Sequence, residues 1–148
     1  MAEETWDEII TANLKSLFAV AKACMRPMIG KRSGRIIAVA SLSGITGLPG
    51  QTHYAASKGG MISFVKALAL ETARFGITVN AVAPANVQSP RAKAIRSPER
   101  LRHIAQTTPV GRLSEPGEIA EAVLFLCGKG VGYITGVTLD VNGGATMV

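Results

Sequence analysis

The sequence predicts an α/β fold built on a parallel β-sheet. Short apolar runs rich in Val, Ile and Ala alternate with longer segments in which apolar residues recur at helical spacing. Strands that alternate with helices in this way are typical of βαβ units and of a parallel sheet. The 148 residues, 47% of them hydrophobic, support a single domain over residues 1–148 with a core of its own.

The first half of the chain is predicted to form a helix, a strand and a second helix. Residues 5–32 have helical periodicity, and Gly30 or Gly34 is expected to end that helix. The apolar run at residues 35–40 is typical of a strand that is buried on both faces. After a glycine-rich loop, a second long helix is predicted over about residues 52–75.

The second half is predicted to contain two strands and one helix. A strand over residues 78–83 is followed by a polar stretch that runs to about residue 106. A last helix is expected over about residues 115–127, because Pro116 is favourable in a first helical turn. The closing strand is predicted over residues 137–141.

Composition favours a cytoplasmic protein without metal, membrane or nucleic-acid partners. The acidic residues 1–4 argue against a signal peptide, and no apolar run approaches the ~18 residues of a membrane helix. Cys24 and Cys127 fall in apolar helical patterns, which predicts reduced core cysteines. The sequence has no His/Cys cluster, and its net charge of +6 comes without a recognised nucleic-acid-binding motif.

Three side chains indicate carbonyl chemistry. Tyr54 and Lys58 are four residues apart and therefore share one face of a helix. A tyrosine keeps its proton to about pH 10, and a nearby ammonium favours the phenolate. The hydroxyl of Ser41, at a strand end, would hydrogen-bond a carbonyl oxygen that Tyr54 protonates. The alternatives are a surface Tyr–Lys pair and a strand-end cap, with Ser43 as the competing hydroxyl.

The chain resembles the short-chain dehydrogenase/reductase family along its whole length. Asn13, Ser41, Tyr54 and Lys58 stand in that family's order and spacing. The motifs GQTHYAASK, GITVNAVAP, YITG and VNGG resemble it too, most of all its bacterial 3-oxoacyl-(acyl-carrier-protein) reductases. The resemblance implies a Rossmann-like three-layer parallel sheet and reduction of a carbonyl, or oxidation of the matching alcohol.

The resemblance also implies roles for the site residues. Tyr54 is the acid or base, Ser41 polarises the substrate oxygen, and Lys58 lowers the pKa of Tyr54 and binds the nicotinamide ribose. Asn13 holds a water that links Lys58 to solvent, although it could instead satisfy backbone groups of its helix. The cofactor is NAD or NADP. The residues expected to contact it are Tyr54, Lys58, Pro84, Ala85, Val87 and Ser89, with Ala85 and Ser89 in place of the family's glycine and threonine.

The family's glycine-rich phosphate turn, Gly-x-x-x-Gly-x-Gly, is not in the sequence. We therefore expect the C-terminal half of an incomplete Rossmann fold, with the N-terminal nucleotide-binding half absent and the function belonging to a longer protein. The expected partners are a carbonyl or alcohol substrate, including one linked to acyl carrier protein, and further copies of the chain in a dimer or tetramer. The alternative is an inactive remnant that acts through oligomerisation or partner binding.

Overall fold

Three parallel strands lie between two layers of helices in the computed structural model, which describes residues 1–147. The strands are β1 (Gly34–Val39), β2 (Ile77–Pro84) and β3 (Thr138–Val141), in the order β1-β2-β3. β1 pairs with β2 from Gly34↔Ile77 to Val39↔Val82, and β2 pairs with β3 from Ala81↔Thr138. The predicted parallel α/β fold is confirmed.

One layer consists of two long helical segments. The first comprises α1 (Glu3–Ile10), a π-helical turn (Thr11–Lys15) and α2 (Ser16–Lys31); the second comprises α4 (Thr52–Thr72) and a 3₁₀ turn (Ala73–Phe75). Both long helices were predicted. The π-helical turn was not, and it interrupts the first helix close to its start.

The end of α2 differs from the prediction. Neither Gly30 nor Gly34 ends the helix, because Arg32 takes the left-handed C-cap conformation with φ 48°. This conformation is uncommon for a residue with a Cβ atom. The Arg32 guanidinium donates a hydrogen bond to the Arg74 carbonyl at 2.9 Å, which holds the turn against the end of α4.

The second layer is α7 (Pro116–Cys127), and β2 packs against both layers. Successive residues of a strand face opposite sides. Val79 of β2 is fully buried against the α4 layer, whereas Val82 packs on α7 with Ile119. The backbone N–H of Glu115 donates to the Glu118 carboxylate at 2.8 Å, which caps the start of α7.

The predicted polar stretch after β2 is in fact two short helices, α5 (Pro90–Ile95) and α6 (Pro98–Thr107). Each begins with a serine followed by proline. Ser89 accepts from the Ala92 N–H at 3.1 Å, and Ser97 accepts from the Arg100 N–H at 3.2 Å. A serine N-cap with proline at the first position is a helix-start signal, and it was overlooked.

Two predictions of burial were wrong. β1 is only half-buried and Val39 is 49% exposed, because β1 is an edge of the described sheet. Cys127 is exposed at the end of α7 and Cys24 is half-buried, so neither lies in the core; both are free thiols. Among the described residues, no helix is both long and apolar enough to span a membrane.

Candidate active site

A cleft of about 560 Å³ lies at the carboxyl ends of β1 and β2 and contains both Ser41 and Tyr54. The carboxyl edge of a parallel sheet is where α/β proteins bind their ligands. The cleft walls come from α1, the segment after β1, the start of α4, the end of β2 and the α5–α6 junction. The lining residues are Ile9, Ser41, Leu42, Ser43, Thr46, Gly47, Leu48, Gln51, His53, Tyr54, Ala85, Asn86, Ile95 and Arg96.

Ser41 is fixed by sheet hydrogen bonds on either side of it. The Ala40 N–H donates to Val82, and the Leu42 N–H donates to Pro84, both at 2.9 Å. The buried Ser41 Oγ accepts from the Ser43 N–H at 3.2 Å. Because this bond uses an acceptor position, the Ser41 hydroxyl keeps its hydrogen for an acceptor in the cleft. Ser43 also lines the cleft, from a short unpredicted helix α3 (Ser43–Thr46).

Tyr54 and Lys58 lie on one face at the start of α4. The Lys58 Nζ is 5.7 Å from the centroid of the Tyr54 ring and donates a hydrogen bond to the Val39 carbonyl at 2.8 Å. Lys58 is 9% exposed, and burial lowers the pKa of its ammonium below the ordinary value. Lys58 therefore lies buried next to the Tyr54 ring and does not itself line the cleft.

Close packing of α3 on α4 requires a glycine. A Cβ atom at Gly44 would lie 2.6 Å from the backbone carbon of Lys58. Real Cβ atoms do not approach backbone so closely, so only glycine lets α3 pack directly against the turn that carries Lys58. Gly44 thus sets the distance between the Ser41 segment and the helix of Tyr54.

Asn13 lies in the π-helical turn and outside the cleft lining. Its Nδ2 donates to the Ile9 carbonyl at 3.1 Å, which is the backbone role weighed as the alternative. The Ser16 hydroxyl donates to the Ala12 and Asn13 carbonyls at 2.6 and 3.0 Å. π-helical turns inside α-helices are frequent at functional sites. A water held by Asn13 stays a prediction.

The segment after β2 divides between the cleft and the neighbouring loop. Ala85 lines the cleft and does not have the left-handed backbone that would favour glycine. Val87 instead forms a parallel bridge with Ser114. The Ser89 hydroxyl caps α5 as an acceptor, which leaves its hydrogen available. Pro84, Val87 and Ser89 are not among the cleft residues, so their contact with a nucleotide stays a prediction.

Sequence reasoning did not place two residues of chemical interest in the cleft. His53 is half-buried in the cleft wall; its Nδ1 is shielded from solvent and has no hydrogen-bond partner among the described residues. The Arg96 Nη1 donates to the Asn86 Oδ1 at 3.4 Å, and both residues line the cleft. Within the described part of the chain, no group of three His, Cys, Asp or Glu residues is placed to bind a metal ion.

Comparison with known proteins gives matches over the whole chain. A family model described as Enoyl-(Acyl carrier protein) reductase matches residues 1–146. The 3-oxoacyl-(acyl-carrier-protein) reductases FabG of Vibrio cholerae and Escherichia coli K12 are 48% and 49% identical to the chain over 148 residues. The chain spans 60% of the length of each of these relatives.

The fold has a close counterpart among solved structures. The crystal structure of a 3-oxoacyl-(acyl-carrier protein) reductase from Brucella melitensis superimposes with a TM-score of 0.95 at 36% identity. The superposition covers all of this chain and 55% of the other. With the serine, the tyrosine and the lysine gathered at the carboxyl edge of the sheet, these matches place the chain in the short-chain dehydrogenase/reductase family, as its C-terminal portion.

Proposed function

We propose that this chain supplies the catalytic part of an NAD(P)-dependent oxidoreductase that reduces a carbonyl group, or oxidises the matching alcohol. The preferred substrate is a 3-oxoacyl thioester, including one carried on acyl carrier protein. The observation that carries the proposal is the presence of the Ser41 hydroxyl and the Tyr54 phenol in one cleft, with the buried Lys58 ammonium beneath them.

Ser41 and Tyr54 act on the same substrate oxygen. During reduction, Tyr54 gives its proton to the carbonyl oxygen, and in the reverse direction it removes the proton from the alcohol. Ser41 donates a hydrogen bond to that oxygen and positions it. Because the Ser41 Oγ already accepts from the Ser43 N–H, the Ser41 hydrogen remains free to donate. Preorganised donors of this kind stabilise charge that develops on the oxygen in the transition state.

Lys58 supports the proton transfer from behind the tyrosine. Its positive charge stabilises the negative charge left on the Tyr54 oxygen once the proton has gone. Burial lowers the pKa of Lys58, so its ammonium releases a proton more readily than an exposed lysine does. Asn13, in the π-helical turn packed against α4, is proposed to hold the water that returns the proton from solvent.

The residues beside the cleft fit the nicotinamide end of NAD or NADP. A lysine ammonium has three N–H donors, and Lys58 uses one of them on Val39, which leaves donors for a ribose. The proposed contacts are Tyr54, Lys58, Pro84, Ala85, Val87 and Ser89. When bound, the nicotinamide supplies the hydride, for which the protein has no donor of its own. We propose that residues outside this chain hold the pyrophosphate, because the sequence contains no glycine-rich phosphate turn.

The same geometry would serve a second reaction. The matching family model carries the description of an enoyl reductase. In enoyl reduction, hydride addition to the C=C bond leaves negative charge on the thioester oxygen. The Ser41 and Tyr54 hydroxyls would stabilise that oxygen as they would a carbonyl oxygen. Carbonyl reduction is favoured because the curated relatives at 48% and 49% identity are named for it.

The α2–α4 layer is proposed to join copies of the chain into a dimer or tetramer. Its two helices expose large apolar side chains, among them Phe18 (50%) and Val20 (63%) on α2 and Leu70 (85%) on α4. A groove of about 610 Å³, lined in part by Leu70, runs between α2 and the end of α4. Exposed apolar surface beside a groove favours a protein–protein contact. We also propose a cytoplasmic location.

The proposed reaction is tested on the full-length polypeptide that contains these residues. Oxidation of NADH and NADPH is followed with matched 3-oxoacyl and enoyl thioesters of equal chain length. We expect turnover of the 3-oxoacyl thioester to exceed that of the enoyl thioester. Faster turnover of the enoyl thioester would assign enoyl reduction to the site in place of carbonyl reduction. If neither substrate is turned over, the inactive-remnant alternative is supported.

A further inference from the structure

We infer that Arg96 is a specificity-determining residue that binds an anionic oxygen group, a phosphate or a carboxylate, of the carbonyl substrate. This inference rests on the proposed function of the cleft and adds the chemical class of its ligand. Among the described residues that line the cleft, Arg96 is the one with a permanent charge. It faces the cleft from the junction between α5 and α6.

The Arg96 guanidinium lacks a counter-ion within the part of the chain that the structure describes. The residue is half-buried, and the salt bridges found are Arg102–Glu99 and Arg112–Glu118, neither of which involves it. Its side chain makes one long hydrogen bond, to the neutral amide oxygen of Asn86 at 3.4 Å. A partly desolvated cation with only a neutral acceptor gains from an anion brought by a ligand.

The backbone around Arg96 is well held, so its side chain is aimed at the cleft by the fold. Ser97, the next residue, caps α6, and Ile104 of that helix is buried in the core. On the opposite side, the Asn86 carbonyl accepts from the Ser114 N–H at 3.0 Å. Arg96 and Asn86 therefore form a polar part of the cleft lining, which also includes Tyr54.

The rest of the cleft suits a ligand with a polar and an apolar part. Ile9, Leu48 and Ile95 line it as apolar surface suitable for an alkyl or acyl chain. The segment 90–107 carries five Arg or Lys residues and one Glu, so a positive field surrounds Arg96 and attracts anions. Only Arg96 among these basic residues lines the cleft; the side chain of Arg91 lies outside the described residues.

The inference is tested by ligand binding to the full-length polypeptide that contains these residues, without NAD(P)H and therefore without turnover. Dissociation constants are measured by ¹H–¹⁵N NMR titration with 3-oxobutanoyl-phosphopantetheine and with its dephosphorylated form, 3-oxobutanoyl-pantetheine. A third titration uses acetoacetate, whose anion is a carboxylate. We expect the phosphorylated thioester to bind about tenfold more tightly than the neutral one, an effect that weakens with added salt.

Matched variants separate Arg96 from the general positive field. Arg96→Gln should remove the preference for the anionic ligand and leave the affinity for the neutral thioester unchanged. Arg96→Lys should retain part of the preference for the anionic ligand. Lys93→Gln, which removes an exposed cation of the same segment, should keep the preference intact. The NMR spectrum of each variant shows whether it has kept the fold.

The outcomes distinguish the inference from the proposed function. If the wild-type protein binds the two thioesters with equal affinity and acetoacetate binding does not depend on Arg96, the role of Arg96 is overturned and the proposed reaction stands. A preference for the anionic thioester that survives in Arg96→Gln has the same meaning. Failure of both thioesters to bind overturns the proposed 3-oxoacyl substrate, and it also overturns the role of Arg96 when acetoacetate binding does not depend on Arg96. Arg96-dependent binding of acetoacetate supports the inference and assigns the anion to a carboxylate next to the carbonyl.

Discussion

Two serine hydroxyls, two positions apart in the chain, line the cleft and differ in their hydrogen bonding. Ser41 Oγ is engaged as an acceptor by the Ser43 N–H. Ser43 lies one step further along, on α3, where its hydroxyl has no such constraint. The difference between them arises from the sheet bonds on either side of Ser41, which fix its position at the end of β1.

Replacement of the two serines should separate their roles. In the full-length polypeptide, Ser41→Ala should lower kcat/KM for a 3-oxoacyl thioester by about 10²-fold or more, the usual effect of removing one preorganised donor. Ser43→Ala, the matched control, should change kcat/KM less than about threefold. Steady-state kinetics measure both. A larger loss from Ser43→Ala would assign the donor role to Ser43.

A second residue-scale feature is the ion pair between Arg112 and Glu118. The guanidinium donates to both carboxylate oxygens at 2.7 Å, and Glu118 also accepts from the Glu115 N–H. These bonds lower the pKa of Glu118 to about 2, with the hydrogen bonds from Arg112 as the largest cause. The pair thereby joins the α6–α7 loop to the start of α7.

The pH dependence follows from the sign of this shift. Because the folded-state pKa of Glu118 is below the unfolded value of 4.5, the pair stabilises the fold above about pH 4.5, and this stabilisation is lost as the pH falls towards 2. NMR titration of the Glu118 side-chain carboxyl should give a midpoint near pH 2. Arg112→Gln should raise that midpoint towards the ordinary value of glutamate. An unchanged midpoint in this variant would refute the assigned cause.

Hydrophobic periodicity predicts the strands and the long helices but not the short helices. β2 and α4 carry many apolar residues in regular patterns, and these residues form the hydrophobic core. α5 has six residues, too few for periodicity to be visible, so the Ser89 cap and Pro90 at its first position are the signals that predict it. The π-helical turn around Asn13 has no local sequence signal, since nothing in those residues forbids an ordinary α-helix.

The α2–α4 layer carries a prediction about assembly. Leu70→Glu places a charge on the exposed apolar surface of α4 and should shift the chain from oligomer towards monomer, as seen by sedimentation or light scattering. Leu124→Glu on α7, in the opposite layer and 61% exposed, is the matched control and should leave the assembly unchanged. A wild-type chain that stays monomeric at high concentration would contradict the proposed interface.

At the scale of the whole molecule, the site depends on contacts that sequence spacing alone does not reveal. Tyr54 and Lys58 could be paired from their helical spacing, and Ser41 could be added from the resemblance. The place of Arg96 in the cleft could not be predicted in this way, because its hydrogen bond to Asn86, ten residues earlier in the chain, arises from the fold. The half-exposed β1 likewise reflects its place at a sheet edge, which the local apolar run does not encode.

Tyr54 is proposed to be the acid and base of a carbonyl oxidoreductase, and one substitution tests this role. Tyr54→Phe keeps the ring and its packing and removes only the hydroxyl. In the full-length polypeptide, NAD(P)H-dependent reduction of a 3-oxoacyl thioester by this variant should fall by about 10²- to 10⁴-fold, the usual share of acid–base catalysis, with unchanged circular dichroism. Turnover equal to that of the wild type would contradict the assignment of Tyr54.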